Sequence, residues 1–481
     1  MNRLATNQLN ALGSGVKLPE YDRGRLGVGI VHLGIGAFHR AHQAWYTELA
    51  MNQNGGDWGI TGVSLRSDTV ARQLQPQDGL YSLLADDGSN TELRVVGAVA
   101  KVLVASEHIE AVLAAIAAPA THIVSLTITE KGYCSDARGK TDWEHHDLAR
   151  DLQFPEEPTT AIGVLAMGLA RRFDQGRAPL TVLSCDNLVE NGQLLRQRIF
   201  DFVKRVRPEM LDWLEHSVSF PSSMVDRIVP AITEEQRLLQ SAQLGADDAS
   251  AIATEPFSQW VVEDNFAGPR PAWQLAGVTF VDDIRPYEAM KLGLLNAAHT
   301  AIACIGVLSN TETVDRVMAD PQMGAFVREL MRHELLPGLD VPVGFDLNSY
   351  CDALLQRFSN PQLRHRCEQI FMDSSVKIPQ RWLPHLQRGV RLAHLELALA
   401  SWCHLVLNTD TPLDDPAAER MLALRAKKTS HDVTQLLCLA GISPETVEDF
   451  GALNARLCQQ MTYIATHGLL ACMNLEEREI T

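Results

Sequence analysis

The sequence has no run of basic residues, no cysteines spaced as CxxC, no internal repeat and no low-complexity linker. Lys and Arg number 42 against 59 Asp and Glu, a formal charge of −17. That balance repels phosphate backbones and anionic lipid wherever no basic patch intervenes, so neither nucleic acid nor membrane is expected as a partner. The longest apolar stretch, 294–308, contains Asn296 and His299 and falls short of the roughly 18–20 residues a membrane span needs. It reads as a buried helix. Residues 1–17 mix Asn, Gln, Thr and Gly with scattered apolar residues and lack a continuous hydrophobic region, so the cytoplasm is the expected location. The nine cysteines are odd in number, and without paired spacing they read as reduced core thiols rather than a disulfide framework. The only close pair of metal-type ligands in a distinctive setting is His39 with His42, and no metal is expected.

A chain of 481 residues exceeds what one hydrophobic core serves, which predicts two unequal domains. Its 46% apolar and 21% charged residues exclude disordered and collagen-like classes. Up to residue 284, β-like apolar runs alternate with helical periodicity, the pattern of a parallel sheet covered by helices. The candidate strands are 29–33, 59–65, 93–99, 122–127, 180–184 and 278–281; they are rich in Val and Ile, as strands buried on both faces are. From Pro286 the pattern turns helical, first through Leu308, then around 320–335, 347–358, 361–373, 388–408 and 430–440. The expected fold is α/β: a Rossmann-type doubly wound parallel sheet over 1–284, followed by a mainly α-helical domain over 285–481.

The strand at 29–33 runs into Gly34-Ile35-Gly36-Ala37-Phe38-His39, followed by an apparent helix over 40–50. Glycines there allow a tight turn that points a helix N-terminus at a pyrophosphate. The usual third glycine is His39, so the match is partial and a plain strand-to-helix turn is the competing reading. The second strand ends at Arg66-Ser67-Asp68. Asp68 would accept hydrogen bonds from an adenosine ribose and favour NAD, whereas Arg66 would suit a 2′-phosphate.

A second constellation lies at 287–299. At about 100° per residue, Lys291, Asn296 and His299 fall at roughly 0°, 140° and 80° on one helical flank. A lysine set among Leu, Met and Ala is costly to keep charged, which prepares it for proton transfer; the competing reading is a lysine that snorkels to solvent. Tyr287 and Lys291 also spell YxxxK, but they lie some 250 residues beyond the glycine turn, too far for one compact dinucleotide domain, and Tyr287 is read as structural. A third segment, Cys185-Asp186-Asn187, ends a strand. The Asn187 amide, with that of Asn296, could hold a carbonyl oxygen as negative charge develops.

Together GIGAFHRAHQAWY, TITEKGYC, LSCDNLVENG, SFPSSMVDRIVP, EPFSQWVVEDNF and PYEAMKLGLLNAAH resemble the mannitol dehydrogenase family of polyol-specific long-chain dehydrogenases, over about residues 18–380. The resemblance implies metal-independent hydride transfer between NAD(H) and a ketose, polyol or sugar acid, by a chain expected to be a monomer. It places the catalytic lysine on Lys291, the oxyanion-binding asparagines on Asn187 and Asn296, and a lysine-orienting, substrate-contacting histidine on His299. Gly34, Gly36, Phe38, His39 and Asp68 are the implied cofactor residues, and Asp226 and Lys377 fall on substrate positions. Glu288 matches a glutamate of proton exchange with solvent. Within the family, Glu130-Lys131-Gly132-Tyr133 and the basic segments around Arg364 and Lys377 resemble the fructuronate reductases, where a cation at Lys131 would suit a terminal carboxylate. Two alternatives stay open: a hexitol or hexonate oxidoreductase such as a mannitol 2-dehydrogenase, and a nucleotide-binding protein without catalysis. Fructuronate-type members read LNGSH where this chain has Leu295-Asn296-Ala297-Ala298-His299, a departure that bears on substrate placement.

Overall fold

Six short segments, most of them rich in Val, Ile and Leu, form one sheet: β1 (Val28–Leu33), β2 (Gly59–Ser64), β3 (Val99–Val104), β4 (Ile123–Leu126), β5 (Leu180–Ser184) and β6 (Val218–Ser219). They lie in the order β3-β2-β1-β4-β5-β6, and every pairing is parallel. Strand order reverses between β1 and β4, which makes the C-terminal ends of those strands the switch point where such sheets bind ligands. Period-two alternation splits the apolar side chains between two cores. Val31, Leu33, Val63, Val124, Leu126 and Val182 pack on one face with residues of helices Ala105–Ala117, Ala161–Asp174 and Asn191–Val206. Ile30, Ile60, Ile123 and Leu183 face the other way, toward Ala44, Tyr46, Met51, Trp260 and Trp273. This is the doubly wound arrangement expected from the alternating pattern.

The computed structural model describes residues 1–88, 90–136, 139–341, 344–427 and 432–473, and the chain divides into two compact units, Met1–Arg285 and Pro286–Thr481. Two of the expected strands are not in the main sheet. The segment read at 93–99 is instead Thr91–Val96, antiparallel to Tyr81–Asp86 in a separate three-stranded sheet. The true third strand, Val99–Val104, follows after two residues. The run read at 278–281 is Thr279–Val281, which joins Ser223–Asp226 and Gln259–Glu263 in another small sheet. Both runs have the β-like composition that was read from them; only their partners differ, and periodicity does not specify partners.

Among its described residues the second unit has no strand beyond one isolated bridge, Thr313 with Arg366. Arg285–Leu308 is a single rod long and apolar enough to cross a membrane by composition alone, but it is a core helix, with 72% of its most apolar window buried. It packs against Ala393–Asn408, whose residues 395–407 are all buried. The helix expected at 361–373 is reduced to Cys367–Phe371, and Ser374–Leu386, which contains Pro379 and Pro384, was not anticipated. The first two residues of the helix expected at 430–440 lie outside the described residues; it is seen as Asp432–Leu439. None of the nine cysteines is in a disulfide; seven are buried, Cys458 is half-buried and Cys438 is exposed.

Candidate active site

At the end of β1 the two glycines of the turn have different physical duties. Gly34 has φ +98°, and a Cβ there would sit 2.1 Å from the Thr127 carbonyl oxygen, so no other residue fits. Its N–H donates to the Val63 carbonyl at 2.8 Å, tying the turn to β2. Gly36, with φ −88°, begins the Ala37–Ala41 helix. A Cβ at Gly36 would meet nothing closer than the Gly34 oxygen at 3.8 Å. Gly36 and Ala37 are exposed, so the bare turn leaves room for a dinucleotide to approach the backbone, and the residues present fit that group. Phe38 is half-buried and stacks on His42 at 5.0 Å. The helix expected over 40–50 is broken at His42 (φ −119°, ψ −92°) and resumes as Gln43–Asn54.

His39, expected to help hold the cofactor, turns inward. Its ring is fully buried and stacks on His32 at 3.4 Å. His32 is in turn held by Ser125 Oγ and Thr127 Oγ1, each at 2.9 Å. Burial drives the His32 pKa down to about 3 and that of His39 well below the ordinary value. Both are neutral core side chains, and the imidazole of His39 is corrected to a structural role. At the end of β2, Asp68 is half-buried and pairs with Arg72 at 3.0 Å. Arg66 is exposed and bound to Asp147 at 2.7 Å.

The end of β5 is organised by a residue the sequence did not single out. The buried Asp186 carboxylate accepts the Ile128 N–H at 2.9 Å, the Thr129 N–H at 2.8 Å and the Tyr133 hydroxyl at 2.9 Å. Burial raises its pKa and those bonds pull it back down. Asp186 thus fixes the loop after β4 that carries Lys131 in the Glu130–Tyr133 turn. Lys131 is exposed, with no ion-pair partner among the described residues. Asn187 follows Asp186 and is exposed. Asn191, also unanticipated, donates from Nδ2 to the Asp186 and Ser223 carbonyls, both at 2.8 Å, and accepts the Ser223 N–H at 2.9 Å. It ties β5 to the strand that ends in the buried Asp226. The available signal was position: both residues stand within the polar cluster at the end of β5.

From the last residue of the first unit onward, Arg285–Met290 is α-helical, Lys291–Asn296 is a π-helix, and Ala297–Leu308 is α-helical again. The Ala297 N–H donates to the Leu292 carbonyl, five residues back. The uniform 100° step expected for this segment is therefore corrected. An i→i+5 turn winds less per residue than the α-form, which brings Lys291 and Asn296 closer to one direction than the α step would, and such bulges concentrate at functional sites. Lys291 is 7% exposed, Asn296 7% and Glu288 6%, so the lysine does not snorkel. The Asn296 Nδ2 and the His299 Nε2 are both sealed from solvent and have no hydrogen-bond partner among the described residues. Buried polar groups in that state are ones that a bound substrate or an ordered water satisfies. His299 stacks on Phe358 at 5.3 Å and meets His365 edge-on at 4.9 Å. Burial first, then His365, Arg381, Arg357 and Lys377, keep its pKa well below the ordinary value. The ring is neutral, with four basic groups around it. Lys377 is half-buried and donates to the Ile370 carbonyl at 3.1 Å and to the Met372 carbonyl. Tyr287 packs edge-on against Phe345 at 6.2 Å.

Family models match both halves of the chain: the mannitol dehydrogenase Rossmann domain over residues 28–275 and the mannitol dehydrogenase C-terminal domain over 283–465. The chain is 42% identical to an uncharacterized oxidoreductase of Escherichia coli, YeiQ, over 90% of this chain and 91% of that one. It is 40% identical to the D-mannonate oxidoreductase of Escherichia coli, over 92% and 96%. Its structure resembles that of the Pseudomonas fluorescens mannitol 2-dehydrogenase in ternary complex with NAD and D-mannitol, with a TM-score of 0.86 and 35% identity over 99% of this chain and 100% of that one.

Proposed function

The chain belongs to the mannitol dehydrogenase family, and from that premise we propose that it is an NAD-dependent oxidoreductase reducing D-fructuronate to D-mannonate. The observation that carries the choice of an anionic sugar is the set of cations around His299, where Arg357, Lys377 and Arg381 all act on one ring. A terminal carboxylate complements such a wall, and the exposed Lys131 is the cation that the resemblance to fructuronate reductases offers for the same substrate class. The 40% identity to a D-mannonate oxidoreductase supports the same substrate.

Gly34 and Gly36 open the turn for the pyrophosphate, and the Asp68 carboxylate takes the ribose hydroxyls; the pairing of Arg66 with Asp147 favours NAD over NADP. When bound, NADH supplies the hydride for the ketone carbon. Lys291 gives the proton to the ketone oxygen and, in reverse, takes it from the alcohol. The amides of Asn187 and Asn296 stabilise that oxygen as negative charge grows on it. His299, neutral and with Nε2 uncommitted, orients the lysine and a sugar hydroxyl. Asp226 and Lys377 hold the rest of the chain of hydroxyls, and Glu288 passes protons to solvent.

The test is a panel of fructuronate, tagaturonate and fructose with NADH and NADPH, followed by the absorbance of the reduced nicotinamide. The highest kcat/KM is expected with fructuronate and NADH. A preference for fructose would defeat the carboxylate reading, and equal kcat/KM with both cofactors would remove Asp68 from its role. Lys291→Ala should lower turnover by roughly 10²–10⁴-fold while NADH still binds; unchanged turnover would exclude the lysine as acid/base.

A further inference from the structure

The helix Ser374–Leu386 reaches into the backbone of the 291–297 segment with three side chains. His385 Nε2 donates to the Gly293 carbonyl at 2.8 Å. Trp382 Nε1 donates to the Ala297 carbonyl at 3.0 Å. One Arg381 nitrogen reaches the Asn296 carbonyl at 3.4 Å and the Thr300 hydroxyl at 2.7 Å. Thr300 itself donates to that same Asn296 carbonyl at 3.0 Å. An i→i+5 turn is rare because its backbone geometry is poorer than that of the α-form, and it persists where groups outside the ladder satisfy its carbonyls. Here Thr300 supplies one of those groups and a single neighbouring helix supplies the others.

The fit is close. Trp382 is fully buried and His385 is 2% exposed. A Cβ at Gly293 would lie 3.1 Å from His385 Nε2 and 2.5 Å from Leu339 Cδ2, so the imidazole rests against a bare Cα. Burial holds His385 neutral, which suits a single Nε2–H donor, and its Nδ1 has no partner among the described residues. We propose that His385 and Trp382 are positioning residues that keep 291–296 in its wide turn and so aim the Lys291 amine and the Asn296 amide together. If the segment relaxed to an α-helix, those two side chains would diverge by about 140°. The proposal rests on the reading of Lys291 as the acid/base.

The test compares His385→Leu, His385→Gln and Trp382→Phe with Lys291→Ala in the full-length protein. It follows kcat, KM, the pH profile of kcat, NADH affinity by fluorescence, and circular dichroism. His385→Leu should lower kcat by roughly 30-fold or more and shift the pH profile by about one unit, with NADH affinity within about twofold, because the chemistry and not the cofactor is disturbed. His385→Gln retains an N–H donor and should recover most of the loss; Trp382→Phe should shift the profile in the same direction. A His385→Leu enzyme with wild-type kcat and profile overturns the proposal. So does a loss of activity that only tracks loss of native signal with the profile unmoved. Where both His385 variants fail to fold, Trp382→Phe decides by the same criteria. An active Lys291→Ala defeats the underlying reading, whereas an inactive Lys291→Ala beside unaffected His385 and Trp382 variants defeats only the positioning role.

Discussion

Gly34 and Gly36 sit two apart in one turn, yet substitution at each has a different consequence. Gly34→Ala places a Cβ on the Thr127 oxygen at a left-handed φ, and the protein should fail to accumulate in native form. Gly36 has φ −88° and open space at its Cα, so Gly36→Ala should melt within a degree or two of the parent while binding NADH roughly tenfold more weakly, about 1.4 kcal/mol. Thermal melts and fluorescence titration separate the two; normal NADH affinity in Gly36→Ala would remove the turn from the cofactor site. The sequence announced both glycines by position but not this division of labour. The same turn misled at His39, because a residue that completes a motif in spacing can still point into the core, and only the stack on His32 decides its direction.

At the level of elements, the legible ones were those whose own composition fixes them. Buried strands β1, β4 and β5 are continuous apolar runs, and 347–358 is a helix with the expected bounds. The misread elements depend on partners. Thr91–Val96 pairs locally with Tyr81–Asp86 instead of entering the main sheet. Ser374–Leu386 was obscured because Pro379 and Pro384 are helix breakers in isolation. The π-turn had no signal at all, since its stabilising donors lie about 90 residues away in sequence. An ion pair also ties helix to helix: the half-buried Arg456 forks onto the buried Glu396 at 2.8 and 2.7 Å, joining Phe450–His467 to Ala393–Asn408. Arg456→Ala strands the 2%-exposed Glu396 and should cost about 3 kcal/mol, and the double change to Glu396→Leu with Arg456→Met should recover much of it. Urea unfolding of the three variants checks both statements; an Arg456→Ala midpoint equal to the parent's would show the pair to be dispensable.

For the whole molecule, proton uptake sets the acid limit of stability. His32, with a pKa of about 3, and His39 and His299, held well below 6.5, are neutral when folded. On unfolding they regain an ordinary pKa of about 6.5 and bind protons, so stability is complete above that value and falls as pH drops below it. At pH 5.5 each costs roughly 1.4 kcal/mol. Glu48 and Asp186, whose pKa values are raised by burial, act with opposite sign and offset part of the loss at more acidic pH. Calorimetry should show Tm lower at pH 5.5 than at pH 7.5 by roughly 5–10 °C; an equal or higher Tm would contradict the burial of these rings. The thiols follow the same logic on the basic side. Burial pushes Cys134 up to about 11 and Cys367 to about 12, and raises Cys185, Cys304 and Cys403 further. Thiolate is the reactive form, so of the nine thiols an electrophilic dye meets Cys438 fully exposed and Cys458 half-shielded. Cys438 is a ready-made attachment point for a spectroscopic label once Cys458 is replaced, with no need to delete the seven buried thiols.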